Sequence, residues 1–345
     1  CRQVLGEPSD KDQPPAPPDP DALLPRLLTG SGASTWLKIA EGCSHRCSFC
    51  AIPFIRGPQV SRPPEAVLAE ARDLIAAGAR EICLIAQDTT AYGLDRPGGP
   101  RLAGLIRQLS DVEGEIWLRL LYAHPGHFEE AVLDAMEADP RWCRYLDLPL
   151  QHISDALLRA MRRPSREATL ALLDRVRARW PDVALRTAFI VGHPGETEAE
   201  FEELCAFVRS ARFAHVGVFV YSDEPGTASA AMSPKVPPEV AAERRERLMA
   251  IQRDVSRSWL HGWVGREIEV LVDEPARGRS REARGRHRGQ APEVDGAVRL
   301  RGAAVHTWAP GQIVRARVSG STDYDLLADS IVASGRCDRP PAATV

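Results

Sequence analysis

Cys43, Cys47 and Cys50 stand in a C-x3-C-x2-C spacing within the run Cys43-Ser44-His45-Arg46-Cys47-Ser48-Phe49-Cys50. Three thiolates on one short loop suit a thiophilic metal centre and leave it one ligand short of four. In a four-iron, four-sulfide cluster each iron needs a ligand besides its sulfides. Three cysteines therefore leave one iron open to a bound small molecule. Zinc is the competing occupant, with His45 as the fourth ligand. His45 lies inside a three-residue gap where tetrahedral geometry is cramped, and no second C-x2-C pair follows. A disulfide framework fits less well. Eight cysteines in 345 residues, with no targeting peptide at the start, read as a chain of reduced thiols, and a cytoplasmic location is expected.

The residues around that loop must be positioned by strands and helices. An alternating run, Thr35–Ala40, precedes the loop, and Glu41-Gly42 makes the turn into it. Pro63-Pro64-Glu65 opens an amphipathic helix that runs to about Gly78, with proline suited to the first turn and glycine to the end. Glu81–Ala86 is almost continuously apolar, as a buried parallel strand is. Further strands are predicted over Ile116–Leu121, Tyr145–Leu150, Val183–Val191 and His215–Val220. Helices over 101–110, 127–138, 154–162, 166–179 and 197–211 separate them. Six strand–helix repeats are too few to close an eight-fold barrel, so the pattern predicts an open, partial (βα)6 barrel of the TIM type. Polar residues recur at the same end of successive strands: Gln87-Asp88-Thr89-Thr90, His124-Pro125, Gln151-His152 and Gly192-His193-Pro194-Gly195-Glu196-Thr197. That end is where barrels of this kind gather their chemistry. For Thr197 a helix-capping role is the plainer reading.

Composition narrows the classes. Hydrophobic residues make up 44% and charged residues 26%, ordinary values for a globular chain with a sizeable core. The net charge of −3 gives no global pull toward nucleic acid. Lys11, Lys38 and Lys235 are the only lysines, so the basic residues are nearly all arginine. Residues 1–30 carry Gln13-Pro14-Pro15-Ala16-Pro17-Pro18-Asp19-Pro20 and read as a semi-rigid linker. The domain expected after it spans 31–235. A charged connector helix follows over 236–263, with Ile251, Val255 and Trp259 as its apolar face. Short strands over 264–333, including Ile268–Val272, Ala297–Leu300 and Ile313–Val318, predict a small all-β, OB-like five-stranded barrel. A tail over 334–345 is expected to be disordered. Within the small barrel, residues 277–288 hold six arginines against one glutamate, a basic hairpin suited to recognition or to solvation. Over 264–332 as a whole, 11 Arg stand against 10 Asp or Glu, so strong polyanion binding is not expected.

With these residues in view, the chain resembles the radical S-adenosylmethionine (SAM) methylthiotransferases. The cysteine triad matches their cluster loop, and Ile190–Thr197 resembles their fifth-strand motif, although His193 stands where phenylalanine is usual. The small barrel resembles their TRAM domain. Gln87–Gly93, Pro149-Leu150-Gln151-His152, Phe219–Thr227, Ala291–Gly296 and Asp323–Leu326 are similar to the branch that modifies an aspartate of small-subunit ribosomal protein twelve, the RimO type. The resemblance implies a 4Fe-4S cluster on Cys43, Cys47 and Cys50, with SAM on its open iron. It places Phe49 near the adenine, and Gln87, Gln151, Arg186 and Glu196 around SAM. It also implies an electron donor such as flavodoxin or ferredoxin. A second 4Fe-4S cluster is expected only in an N-terminal domain that this chain lacks. No catalytic residue beyond the cluster ligands is implied. Since the chain opens on Cys1 and the other cysteines show no cluster spacing, it reads as the catalytic core of a larger enzyme. Two alternatives remain at this stage: a tRNA methylthiotransferase and a zinc-containing RNA-binding module.

Overall fold

The computed structural model describes residues 33–303 and 305–331. The proline-rich linker expected over 1–30 and the tail expected over 334–345 lie outside the described residues. The chain begins with β1 (Ser34–Lys38), the short β2 (Ala40–Glu41), α1 (Ile52–Arg56), β3 (Val60–Ser61) and α2 (Pro64–Ala76). Then come β4 (Glu81–Ile85), α3 (Leu102–Ser110), β5 (Trp117–Leu120), α4 (Glu130–Glu137), β6 (Tyr145–Asp147), α5 (Asp155–Ala160) and α6 (Arg166–Arg179). The series ends with β7 (Ala184–Val191), α7 (Glu198–Ala211) and β8 (His215–Val220). A long helix, α8 (Pro238–His261), leads to β9 (Glu267–Glu274), β10 (Glu282–Arg286), β11 (Val298–Arg301), β12 (Ile313–Ser321) and β13 (Leu326–Ser330).

The six longer strands of the first part are parallel. They pair as β1-β4-β5 and β6-β7-β8, and the two trios meet where Leu118 bridges to Trp142 and Cys143 N donates to Leu118 O at 2.8 Å. The result is the open six-strand fan expected from the repeat count. Helices cover its outer face, burying Leu37, Ile82, Leu84, Leu118 and Leu120 against residues such as Leu74, Leu105 and Ile106. Each such side chain contributes roughly 1.5–3 kcal/mol by leaving water. Local signals set the helix ends. Ser165 Oγ accepts from Ala168 N to start α6, and Thr197 with Glu200 forms a reciprocal capping box at α7, so the capping reading of Thr197 holds. The strand expected over Tyr145–Leu150 stops at Asp147, because Pro149 has no N–H and Gln151 takes a left-handed φ of 73°.

Strands β9 to β13 form a closed five-stranded barrel in the order β10-β11-β13-β12-β9, with its own core of Val270, Val298, Leu300, Ala316 and Leu326. Helix α8 ties it to the fan. The apolar face expected at Ile251, Val255 and Trp259 is only half-buried; the buried stripe is Arg244, Leu248, Gln252, Ser256 and Leu260. Three of those five are polar, and each makes a hydrogen bond to a backbone carbonyl. Arg244 reaches Glu196 O at 3.2 Å, Gln252 Nε2 donates to Phe213 O at 3.1 Å, and Ser256 Oγ donates to Asp323 O at 2.7 Å. Hydropathy located the flank of the seam because its centre is held by hydrogen bonds.

The small barrel also closes the floor of the fan. Its segment 286–295 meets the first residue of every strand. Arg286 donates to Ser34 at 2.7 Å and pairs with Glu81 at 2.7 Å, while Arg288 lies over the Trp117 ring at 4.9 Å. Tyr145 Oη donates to Asp295 at 2.7 Å, His215 Nε2 donates to Gly289 O at 2.8 Å, and Gly289 abuts Ala184 so closely that an added Cβ would stand 3.3 Å away. Arg286 is only 4% exposed and also pairs with Asp273 at 2.9 Å, while Arg119 is buried beside it on Glu81 at 2.9 Å. This corrects the reading of 277–288 as one recognition or solvated stretch: Arg281 and Arg284 are exposed, whereas Arg286 is an interior ion-pair partner. Among the described residues, no helix is long and apolar enough to cross a membrane.

Candidate metal centre

The cysteine loop is held mainly by its backbone. Gly42 turns into it at φ 73°, where a side chain would collide with Pro58 O at 2.2 Å. Cys43 N donates to Gly57 O at 3.0 Å, Cys50 N to Cys47 O at 3.2 Å, and Ser48 N to Met161 O at 3.2 Å. Ser48 is buried, with its carbonyl accepting from Ser229 N at 2.8 Å and its hydroxyl bonded to Ser229 Oγ at 2.8 Å. Ser229 continues to His193 Nε2 at 2.8 Å, and His193 Nδ1 donates to Pro194 O at 3.0 Å. Burial lowers the pKa of His193 and keeps it neutral. The departure from phenylalanine at this position therefore has a physical use: it extends a hydrogen-bond chain from the fifth strand end to the cysteine loop.

All three thiols are free; Cys43 is buried, and Cys47 and Cys50 are half-buried. Burial first, then the Asp88 carboxylate and the neighbouring thiols for Cys43 and the Cys47 thiol for Cys50, push these two thiols above their ordinary value. As thiolates they would repel one another, which a bound metal centre resolves. Arg163 adds a cation beside them, with Nη1 3.8 Å from Cys47 Sγ. The donor set thus fits a three-thiolate iron–sulfur cluster. His45 does not turn its Nε2 to the cysteines. It is 2.6 Å from Asp88 Oδ2, so a carboxylate holds that ring nitrogen. The remaining cysteines of the described residues, Cys83, Cys143 and Cys205, are fully buried core side chains.

Asp88 is the hub of the neighbouring strand ends. Its carboxylate also accepts from Thr90 N at 2.8 Å and His124 N at 3.2 Å, and His127 Nδ1 lies at 3.8 Å. His45 and His124 stack at 4.0 Å. Burial, then Arg163 and His45, push His124 down to about 2, so the stack is not a pile of charges. His127 and Arg163 carried no signal in the sequence; Arg163 meets Cys47 only across 116 residues of chain. Among the described residues, His45, Asp88 and His127 form a group with metal-ligand spacing, and the direct His45–Asp88 bond accounts for two of its members.

The residues expected around SAM fall in different places. Phe49 is half-buried beside Cys50, and Gln87 is exposed, donating to Glu41 Oε1 at 3.3 Å. Gln151 is half-buried and bridges to Phe189, its left-handed backbone marking the end of the fourth strand. Tyr122, ending the third, also has a positive φ of 55°. Such conformations cluster where a site holds its backbone against local preference. Arg186 lies lower, inside the fan, paired with Asp147 at 3.0 Å and keeping 18% of its side chain exposed. Glu196 is buried: its carboxylate accepts from Gly192 N and faces Arg244 at 3.5 Å, so it holds the Gly192–Glu196 turn. Asp147 was not singled out from the sequence, since its partners come from strands 39 and 25 residues away.

Comparison with known proteins agrees with this geometry. Residues 37–208 match the Radical SAM superfamily, and residues 264–331 match the TRAM domain. The chain is 47% identical over 329 residues to ribosomal protein uS12 methylthiotransferase RimO of Sorangium cellulosum, covering 92% of this chain and 67% of that protein. It is 46% identical to the protein of the same name from an Anaeromyxobacter strain, covering 94% and 70%, and 46% identical to that of Geobacter sulfurreducens, covering 90% and 69%. The chain thus spans about two thirds of the length of these relatives. Among solved structures, coproporphyrinogen III oxidase HemN from Escherichia coli aligns with a TM-score of 0.46 at 17% identity, covering 67% of this chain and 53% of that one.

Proposed function

The chain belongs to the radical SAM methylthiotransferases of the RimO type, and from that premise we propose that it installs a methylthio group on the β-carbon of an aspartate of ribosomal protein uS12. The observation that carries this reading is the cysteine loop. Three free thiols are presented at the mouth of an open parallel fan whose floor is sealed. A cluster held there by Cys43, Cys47 and Cys50 would supply the electron for reductive cleavage of SAM and so the radical chemistry of the reaction.

The chain's own residues supply position and exclusion. Cys43, Cys47 and Cys50 hold the cluster, with Ser48, Ser229 and His193 fixing the loop that carries them. Arg163 offsets the negative charge that thiolates and sulfides bring to the loop. Phe49, Gln87 and Gln151 flank SAM from the loop and the strand ends, and Arg186 offers the chamber a cation from below. Glu196 contributes indirectly, by holding the turn after the fifth strand. The sealed floor keeps water from entering behind the reacting carbon. A second cluster would supply the sulfur, and among the described residues Cys83, Cys143 and Cys205 are locked in the core and do not hold one. A low-potential donor such as flavodoxin or ferredoxin delivers the electron.

The test is SAM cleavage by the anaerobically reconstituted chain with a chemical reductant. Deoxyadenosine and methionine form in equal amounts, and a Cys50→Ala variant forms neither. A fully cluster-loaded chain that leaves SAM intact under reduction would overturn the reading.

A further inference from the structure

Arg186 is oriented from two sides. Its Nη1 donates to Asp147 Oδ1 at 3.0 Å from the neighbouring strand, and its Nε faces Asp295 Oδ1 at 3.6 Å. Asp295 is not part of the fan. It belongs to the floor segment contributed by the small barrel, 109 residues further along the chain, yet its side chain is only 1% exposed. It is itself held: Tyr145 Oη and Ala291 N both donate to Oδ2, at 2.7 and 2.8 Å. That leaves Oδ1 for Arg186 and for His215, whose Nδ1 stands at 3.5 Å. Oδ1 accepts no hydrogen bond among the described residues, so its charge is directed at the guanidinium. These contacts of the guanidinium run through Nη1 and Nε, and the side chain keeps its partial exposure. A guanidinium held on one side by a hydrogen bond and on another by a facing carboxylate, with part of its side chain exposed to the chamber, is preorganised to bind an oxyanion.

We infer that Asp295, a residue of the C-terminal barrel, is a positioning residue that aims Arg186 at a carboxylate bound in the chamber of the fan. The inference rests on the SAM and substrate chamber proposed above. Two sources present such a group: the methionyl end of SAM and the side chain of the target aspartate. On this account the small barrel is a working part of the chamber as well as its floor.

The experiment uses the whole chain, cluster-loaded and kept oxidised so that SAM binds without being cleaved. Equilibrium dialysis measures SAM and methylthioadenosine, which lacks the carboxylate, against wild type and Asp295→Asn. Asparagine retains an acceptor for Tyr145 and Ala291, and thermal unfolding checks that the variant is folded. If SAM is the source, its affinity falls about tenfold in Asp295→Asn while methylthioadenosine is unaffected. If the target aspartate is the source, SAM binding is unchanged. A uS12 peptide carrying that aspartate then loses about tenfold, down to the level of its asparagine counterpart. Tyr145→Phe, which frees Asp295 from one of its two donors, gives a smaller loss with the same selectivity and serves if Asp295→Asn is unstable. Equal losses for ligands with and without a carboxylate, or no loss for any, would overturn the inference and leave Asp295 a floor residue only. A wild-type chain that does not bind SAM would overturn the reading beneath it as well.

Discussion

The two ends of the fan solve opposite problems. At the mouth, eight consecutive residues carry three thiols on a loop fixed by backbone hydrogen bonds and one buried serine pair. At the floor, charged side chains from distant parts of the chain are interlocked: Arg119 and Arg286 on Glu81, Arg286 on Asp273, and Asp295 against Arg186. The mouth must accept and release ligands, so its ordering is local. The floor must stay shut, so it spends buried charge on specificity across the two barrels. One prediction of this contrast is that the buried ion pairs of the floor carry more of the stability than any single contact at the mouth.

The largest effect is expected at the floor. Arg286→Met removes a buried partner from Glu81 and Asp273, and thermal or urea unfolding should show a loss of about 3–5 kcal/mol. Retention of wild-type stability would mean that the floor network is incidental.

Acid sharpens the same point. Burial alone would raise the Glu81 carboxyl, but Arg119 and Arg286 outweigh it and hold the pKa below its ordinary value. A carboxyl lowered on folding gives its full stabilisation above the unfolded pKa of about 4.3 and loses it as pH falls through the lower folded value. Melting temperatures measured between neutral and acid pH should therefore fall more steeply for wild type than for Glu81→Gln in that window. Parallel curves would remove Glu81 from the acid response.

At the mouth the expected cost is smaller. His193→Phe deletes the bond to Ser229 but leaves Ser229 on Ser48, for a loss of about 1 kcal/mol with iron content kept. Loss of the cluster in that variant would show that His193 does more than brace the loop. Smallest of all, Arg281→Glu with Arg284→Glu should change stability by less than about 0.5 kcal/mol per site, because both side chains are exposed. A change as large as that of Arg286→Met would erase the distinction drawn within the arginine stretch.

What could be read from sequence follows the same division. The cysteine triad is contiguous, and its chemistry is set by residue type and spacing, so it was legible at once. So were the six strands, each an apolar run bounded by turn residues. The floor was not. Arg286 looks like its exposed neighbours Arg281 and Arg284, and only the approach of Glu81, some two hundred residues earlier, makes it interior. The α8 seam misled for a related reason: Arg244, Gln252 and Ser256 are buried because specific carbonyls await them, and hydropathy weighs only the side chain. Asp147 went unmarked because a single aspartate has no pattern, and Asp295 was noted only as part of the Ala291–Gly296 stretch. Arg186 was singled out through family resemblance, but the two carboxylates that aim it were not.

The central claim is that Cys43, Cys47 and Cys50 hold an iron–sulfur cluster, and metal analysis after anaerobic purification and reconstitution tests it most directly. The account predicts about four irons and four sulfides per chain, lost on substitution of any of the three cysteines by alanine and kept in Cys83→Ala. Stoichiometric zinc that iron cannot replace would contradict it.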